Sequence, residues 1–196
     1  HGAGGRPMNS IALQGGFADA AVQSAHAFRA SLEAMARPGS IQTVAGATPP
    51  APLSDAAGAL LLTLCDGTTP VHLAGAHDCA AVRDWITFHC GAPLVSAEDA
   101  SFALGSWAAL QPVSRFAIGL PDYPDRAATL IVEVDQLDPQ GARLTGPGIA
   151  DEARLSLPET AAFRANRALF PLGFDCFFTC DNRVAGLPRS TIVEDC

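Results

Sequence analysis

The segment ATLIVEV, residues 128–134, decides the fold class of this chain. Apolar residues, several of them β-branched, occupy both alternating positions of the segment, so neither face of the strand that it predicts suits water. Such a strand belongs in a sheet that is covered on both faces. Phe174–Thr179 has the same character and predicts a second central strand.

Helical and strand patterns alternate along the rest of the chain. Helices are predicted over Phe17–Arg37, Asp55–Cys65, Asp78–Cys90 and Glu159–Leu169, with one turn over Trp107–Gln111. Short strands are predicted over Ser40–Ala45, Val71–Ala74, Ser101–Leu104, Arg143–Leu144, Arg154–Leu157 and within Val184–Ile192. Pro121–Asp125 is predicted to be a loop because it holds two prolines. The layer rules then favour an α/β fold with helices packed on a largely buried sheet.

The first predicted helix carries the clearest local signals. Asp19 suits an N-cap, Pro38 and Gly39 end the helix, and Pro158 is expected in the first turn of the late helix. Apolar residues of the first helix form a single stripe near the period of 3.6 residues: Ala21, Ala25, Phe28, Leu32 and Met35.

Composition excludes several classes of protein. The 196 residues include twelve arginines and no lysine, with a net charge of −8. Schiff-base chemistry on lysine and a lysine phosphate loop are therefore impossible, and no basic run predicts nucleic-acid binding. The longest apolar stretch, Ala56–Cys65, is too short to span a bilayer. Residues 1–7 are interpreted as an expression-tag remnant, and a single domain is predicted over 8–196.

The cysteines and histidines offer one candidate metal site. The six cysteines predict reduced, mostly buried thiols of a cytoplasmic protein. Cys176 and Cys180 should face one side of a strand, too far apart for a disulfide. An alternative hypothesis is a zinc module whose ligands are His72, His77, Cys79 and His89. The spacings between these residues are not those of chelating pairs, so we predict no metal.

A second group of candidates could bind an anion or a partner. Thr145-Gly146-Pro147-Gly148 resembles a phosphate turn only loosely, and a structural turn is the preferred interpretation. Arginines bind carboxylates and phosphates as rigid forks, although ordinary surface ion pairs are the simpler interpretation. The candidate residues for anion or partner contact are Arg29, Arg37, Gly146, Gly148, Asp175 and Arg189.

Four motifs, in this order, resemble the PhnH family of bacterial phosphonate metabolism: FR at 28–29 with MARPG at 35–39, LTGPGI at 144–149, FPLGFD at 170–175 and GLPRST at 186–191. The likeness runs from about Gly15 to Val193, and Ser190 stands where the family pattern leads us to expect threonine. The resemblance implies a three-layer α/β/α sandwich with a mixed sheet. That fold is similar to the large domain of pyridoxal-phosphate-dependent transferases, but without the cofactor.

The resemblance also implies a function. The family supplies a subunit of the carbon–phosphorus lyase complex and supports formation of ribose 1-methylphosphonate 5-triphosphate with PhnG, PhnI and PhnL. We expect a cytoplasmic, noncatalytic assembly subunit without cofactor, a homodimer in isolation, joined in the cell to PhnG, PhnI and PhnJ. The alternative is a phosphate or phosphonate binder, or an enzyme, that uses Arg37, Arg189 and the GPG turn, with Asp175 as an acid–base group.

Overall fold

The computed structural model of the protein describes Ser10 and residues 12–196. In that part of the chain the helices are α1 (Ala20–Ala36), α2 (Asp55–Leu64), α3 (Ala80–His89), α4 (Trp107–Leu110) and α5 (Ala161–Ala168). The strands are β1 (Ile41–Thr43), β2 (Val71–Leu73), β3 (Phe102–Ser106), β4 (Ile118–Leu120), β5 (Tyr123–Ala127), β6 (Thr129–Glu133), β7 (Ala142–Thr145), β8 (Ala153–Leu155), β9 (Asp175–Cys180), β10 (Arg183–Leu187) and β11 (Ile192–Glu194). Residues 1–7, interpreted as a tag remnant, lie outside the described residues, and the single domain over 8–196 stays a prediction.

One mixed sheet organises the fold, in the order β1-β10-β9-β6-β3-β2. Strands β2, β3, β6 and β9 run parallel, whereas β10 and β1 pair antiparallel. The apolar segment 128–134 contains β6, which lies in the interior of this sheet. Ile131 packs into the core on one face, while Leu130 and Val132 pack into the core on the other. The two central strands predicted from sequence, β6 and β9, are confirmed.

The two faces of the sheet are covered differently. Helices α1, α2 and α3 enclose the first core. The second core is enclosed by α4, α5 and a separate three-stranded sheet in the order β11-β7-β8, whose Leu144, Leu155 and Val193 point inward. The α/β class and the mixed sheet are therefore as predicted. The second covering layer, however, is part helix and part sheet, because the short strands β7, β8 and β11 each bury one apolar face.

Helix α1 follows its sequence signals at both ends but not in its orientation. Asp19 accepts a hydrogen bond from the Val22 N–H at 3.2 Å, as predicted for the N-cap. The buried face consists of small residues, Ala27, Ser31 and Ala34. A Cβ atom on Gly186 of β10 would lie 2.5 Å from the Ala34 carbonyl oxygen, so this glycine allows the helix to approach the sheet closely. The apolar stripe predicted for α1 consequently points largely to solvent.

Two local predictions are wrong. Pro121–Asp125, predicted to be a loop, belongs to a hairpin of β4 and β5, in which Tyr123 pairs with Leu120. Proline is tolerated there because β5 is an edge strand. Pro158 was expected in the first turn of the late helix, but α5 begins only at Ala161. Glu159 instead accepts a hydrogen bond from the Ala162 N–H at 3.2 Å near the helix start.

Within residues 12–196, none of the helices has both the length and the apolar character that a bilayer span requires.

Candidate functional site

Two of the predicted site residues meet in a closed ion pair. The Asp175 carboxylate accepts hydrogen bonds from the Arg189 backbone N–H at 2.8 Å, from Nε at 3.1 Å and from Nη2 at 2.7 Å. Nη1 of Arg189 donates to the Pro124 carbonyl at 2.8 Å. The side chains of the pair keep only 15% and 25% of their surface exposed, for Arg189 and Asp175 respectively. We call this pair the clamp; both its charges are already satisfied within the chain.

The sheet brings the two clamp residues together. Asp175 begins β9, and Arg189 follows the end of β10, which pairs antiparallel with β9 up to Leu187 and Cys176. Pro188 stiffens the short link between Leu187 and Arg189. The planar guanidinium then meets the carboxylate with two nitrogens, an arrangement that only arginine provides.

The glycines of the TGPG turn have a packing role. Gly148 has a φ of 82°, and a Cβ atom there would lie 1.9 Å from the Ala36 carbonyl oxygen at the end of α1. Gly146 has a φ of 122°, beside the backbone of Ser190 and Thr191. The turn thus joins the end of α1 to the segment that carries Arg189. The preferred interpretation from sequence, a structural turn, agrees with this placement.

The other two arginines lie elsewhere on the outer side of α1. Arg37 is exposed, and its Nε donates to Glu33 at 2.9 Å. Arg29 lines a shallow depression with His26, Glu33 and Gln42. The six predicted residues therefore fall into three places: the clamp, the turn beneath α1 and the outer side of α1.

An apolar groove begins at the clamp. Its volume is about 360 Å³, and Asp175 forms part of its wall. The exposed side chains beside it are Phe28 and Leu32 of α1, which keep 48% and 54% of their surface accessible. The lining also includes Met35, Phe102, Thr129 and Pro188. The amino ends of β3, β6 and β9 thus open onto an apolar surface.

Further exposed apolar side chains lie on the other side of the clamp. Arg189 holds the hairpin through Pro124, and the Gly173 N–H donates to the Ile118 carbonyl at 2.9 Å. These bonds place the tip of the hairpin beside the loop that follows α5. The exposed apolar residues of these two segments are Leu120, Tyr123, Leu169 and Phe170. We call them, with Phe28 and Leu32, the clamp surface.

Two arginines are stacked on aromatic rings of the clamp surface and are counted as part of it. The guanidinium carbon of Arg126 lies 4.2 Å from the Tyr123 ring centre, and that of Arg167 lies 4.8 Å from the Phe170 ring centre. Neither arginine forms an ion pair with a carboxylate of the described residues. Sequence reasoning missed this surface. The signal that could have found it is the bulk of Phe28 and Leu32 on a helix whose opposite side consists of small residues.

The histidine and cysteine group of the zinc hypothesis is dispersed. Nδ1 of His72 is 3.0 Å from the Val95 carbonyl, whereas the His89 ring lies 5.0 Å from that of Trp85. Burial lowers the pKa of His77. In the described part of the chain, no three histidine, cysteine or acidic side chains form a group that could hold a metal ion.

The six thiols are free, and those of Cys65, Cys176 and Cys180 are buried. Cys176 and Cys180 share the second core, in agreement with the prediction that they face one side of the strand. Burial raises the pKa of the Cys65 thiol and raises that of Cys90 to about 12, so both stay protonated at neutral pH and react slowly.

Comparison with known proteins points to one family. Residues 15–194 match the family described as "Bacterial phosphonate metabolism protein (PhnH)". The sequence is 41% identical over 192 residues to "Alpha-D-ribose 1-methylphosphonate 5-triphosphate synthase subunit PhnH" of Rhizobium meliloti (strain 1021), covering 92% of this chain and 94% of the relative. It is 30% identical over 182 residues to "Putative C-P lyase subunit protein HtxG" of Stutzerimonas stutzeri, covering 86% and 84%.

Proposed function

Because the chain belongs to the PhnH family, we propose that it is a subunit of the bacterial machinery that breaks down organic phosphonates. In this role it supports the formation of ribose 1-methylphosphonate 5-triphosphate, the product named for the R. meliloti relative. Its own contribution is assembly: it presents a surface on which other subunits bind.

The clamp surface is the observation that carries this proposal. Six large apolar side chains, each 45–54% exposed, surround an ion pair that is already closed. Contiguous apolar side chains on a soluble domain mark protein contacts, especially where polar groups rim them. The clamp fixes the hairpin, the α5 loop and the start of β9 relative to one another, so the surface is preorganised for a partner.

Charge defines the kind of partner. The chain as a whole carries a net charge of −8, yet Arg126 and Arg167 stand on the clamp surface without carboxylate partners among the described residues. A partner with apolar side chains flanked by aspartates or glutamates complements this arrangement. A second copy of so acidic a chain is less suited, since the remainder of both molecules repel each other.

The finer parts of the proposal follow the family. The partners are PhnG, PhnI and PhnJ in the cytoplasm, and the isolated chain forms a homodimer through a surface other than the clamp surface. The domain retains the architecture of the large domain of pyridoxal-phosphate-dependent transferases. It does so without the cofactor, because a chain without lysine has no amine for the covalent bond.

The alternative, a phosphate-binding pocket built on Arg189 and the GPG turn, has less support. Each of the three guanidinium nitrogens of Arg189 already donates to Asp175 or to the Pro124 carbonyl, and the turn glycines are packed against backbone. An incoming phosphate would have to replace a partly buried carboxylate. For the same reason we do not propose Asp175 as an acid–base group.

Co-expression with PhnG, PhnI and PhnJ tests the assembly role. The wild-type chain should copurify with them in one peak on a sizing column. Leu32→Glu places a carboxylate on the clamp surface and should remove the chain from that peak. Phe88→Glu is the matched control, since Phe88 is 51% exposed on α3, outside the clamp surface, and should copurify as the wild type does. A wild-type chain that migrates alone would contradict the proposal.

A further inference from the structure

A pocket lies at the opposite ends of the parallel strands. Strands β3 and β6 are neighbours, and their last residues, Ser106 and Glu133, are paired in register. A pocket of about 370 Å³ opens there, closed on one side by the segment Ser156–Pro158 that follows β8. Ligands of open α/β sheets bind outside the carboxyl ends of the strands, and this volume is within the usual range for small-molecule sites.

The lining of this pocket accepts hydrogen bonds more than it donates them. Two carboxylates, Glu133 and Asp135, face it together with the hydroxyls of Ser106 and Ser156, and the Trp107 indole forms part of its wall. No arginine or histidine lines it. Phosphate and phosphonate groups are therefore repelled, whereas hydroxyl groups can donate to the carboxylates.

The Glu133 carboxylate is fixed by a hydrogen bond from the start of α2. Its Oε1 accepts a hydrogen bond from the Ser54 N–H at 2.9 Å, at the start of α2. Its neighbour in register on β9, Thr179, is completely buried, and hydrogen bonds from Ser54 and Thr179 to the Glu133 carboxyl oppose the rise in its pKa that burial causes. The two side chains lie on the same side of the sheet, because residues in register on parallel strands point the same way. These contacts fix the position of the Glu133 carboxyl at the edge of the pocket.

The aromatic wall is also fixed in place. Nε1 of Trp107 donates to Glu159 at 2.7 Å, and the indole packs against Phe163 with ring centres 4.9 Å apart and planes tilted by 32°. A half-buried indole held at one edge and on one side offers a rigid apolar wall at little entropic cost. Carboxylates that accept from adjacent hydroxyls beside an aromatic wall match the two sides of a sugar ring.

We propose that this carboxyl-edge pocket (Ser106, Trp107, Glu133, Asp135 and Ser156) binds a neutral sugar ring that carries vicinal hydroxyls. The C–H face of the ring lies on Trp107, two hydroxyls donate to Asp135 and Glu133, and any phosphate on the ligand stays outside the pocket. The proposal is independent of the assembly role, because none of these residues belongs to the clamp surface.

The two tryptophans of the chain provide the test. In ¹H–¹⁵N NMR spectra of the full chain, Trp107 reports on the pocket, and Trp85 is the internal control because it is fully buried and donates to the Gln14 carbonyl. Titration with methyl β-D-ribofuranoside should shift the Trp107 indole signal saturably at millimolar ligand, leaving Trp85 unmoved. The 2-deoxy analogue should bind at least fivefold more weakly.

Asp135→Asn should weaken ribofuranoside binding at least fivefold while the Trp85 signal shows that the fold is intact, and Asp84→Asn, on α3 and outside the pocket, should not change it. Ribose 5-phosphate should bind no more tightly than the methyl glycoside. The proposal is overturned if the Trp107 signal does not move at 100 mM sugar, or if Asp135→Asn binds as the wild type does. It is also overturned if putrescine, a cation without hydroxyls, shifts the signal and the sugar does not.

Discussion

The two ends of the same parallel strands carry opposite chemistry. At the amino ends, Asp175 is neutralised by Arg189, and exposed apolar and arginine side chains surround the pair. At the carboxyl ends, Glu133 and Asp135 face a pocket that no cation lines. The charges of a closed ion pair are not available to a small ligand, and the pair instead stabilises a rigid surface on which a protein can bind. Open carboxylates beside an indole leave hydrogen-bonding capacity for a small molecule.

The amino-end edge depends most on the turn under α1. Gly148→Ala should lower the free energy of unfolding by about 2–4 kcal/mol, because its φ is 82° and the new Cβ would meet the Ala36 carbonyl oxygen. Urea denaturation measures the change. Gly67→Ala is the control, since a Cβ there meets only the Gly91 oxygen at 3.7 Å. Equal stability of the two variants would mean that the turn is not a packing element.

Removing one charge of the clamp should have the next largest effect. Asp175→Asn keeps the shape but leaves the Arg189 guanidinium without its counter-charge, which should cost about 2 kcal/mol of stability. Glu152→Gln breaks the exposed pair with Arg143 and should cost much less, because water screens that pair. Denaturant titration measures the loss of stability of both variants. Equal losses would contradict the role given to the clamp.

The arginines of the clamp surface should contribute to partner binding and not to folding. Arg167→Gln should weaken the affinity for the partner complex by about three- to tenfold and reduce its dependence on salt, since a charge contact is lost. Its midpoint of denaturation should change little. Surface plasmon resonance at two salt concentrations measures the effect. Arg83→Gln, on α3, is the control. An equal loss of affinity in both variants would contradict the proposal that the partner binds the clamp surface.

The carboxyl-edge pocket should contribute the smallest, pH-dependent effect. Burial raises the pKa of Glu133 above the ordinary glutamate value of 4.5, so the folded state holds a proton that the unfolded state releases. The stability contributed by this group is full below pH 4.5 and is lost as the pH rises through the raised pKa. Glutamine does not titrate, so Glu133→Gln should keep its stability while the wild type loses stability as the pH rises from 4.5 through the raised pKa. A constant difference in denaturation curves from pH 4 upward would contradict this.

Sequence reasoning succeeded where a local pattern has one structural outcome. Residues 128–134 are apolar at both parities, and only a strand covered on both faces suits them. Asp19 and the Pro38-Gly39 stop placed the ends of α1 to within a few residues. The four ordered motifs identified the family, and this prediction is confirmed by the match over residues 15–194.

Sequence reasoning failed where the structure depends on contacts between segments that are distant in sequence. The stripe of Phe28 and Leu32 gives the period of α1, but not which side meets the sheet. That choice depends on Gly186, 150 residues or more away in sequence, which admits the small side of the helix. The clamp needed β9 and β10 to pair, and the carboxyl-edge pocket needed the register of Ser106 with Glu133. The single-residue candidates could therefore be named from sequence, but not grouped.

The most direct test of the assembly role is hydrogen–deuterium exchange of the chain alone and in complex with PhnG, PhnI and PhnJ. Binding should protect peptides that contain Phe28–Leu32, Leu120–Tyr123 and Leu169–Phe170, and leave those around Ser106 and Glu133 unchanged. Protection at the carboxyl ends of the strands, with no change around the clamp, would contradict the account.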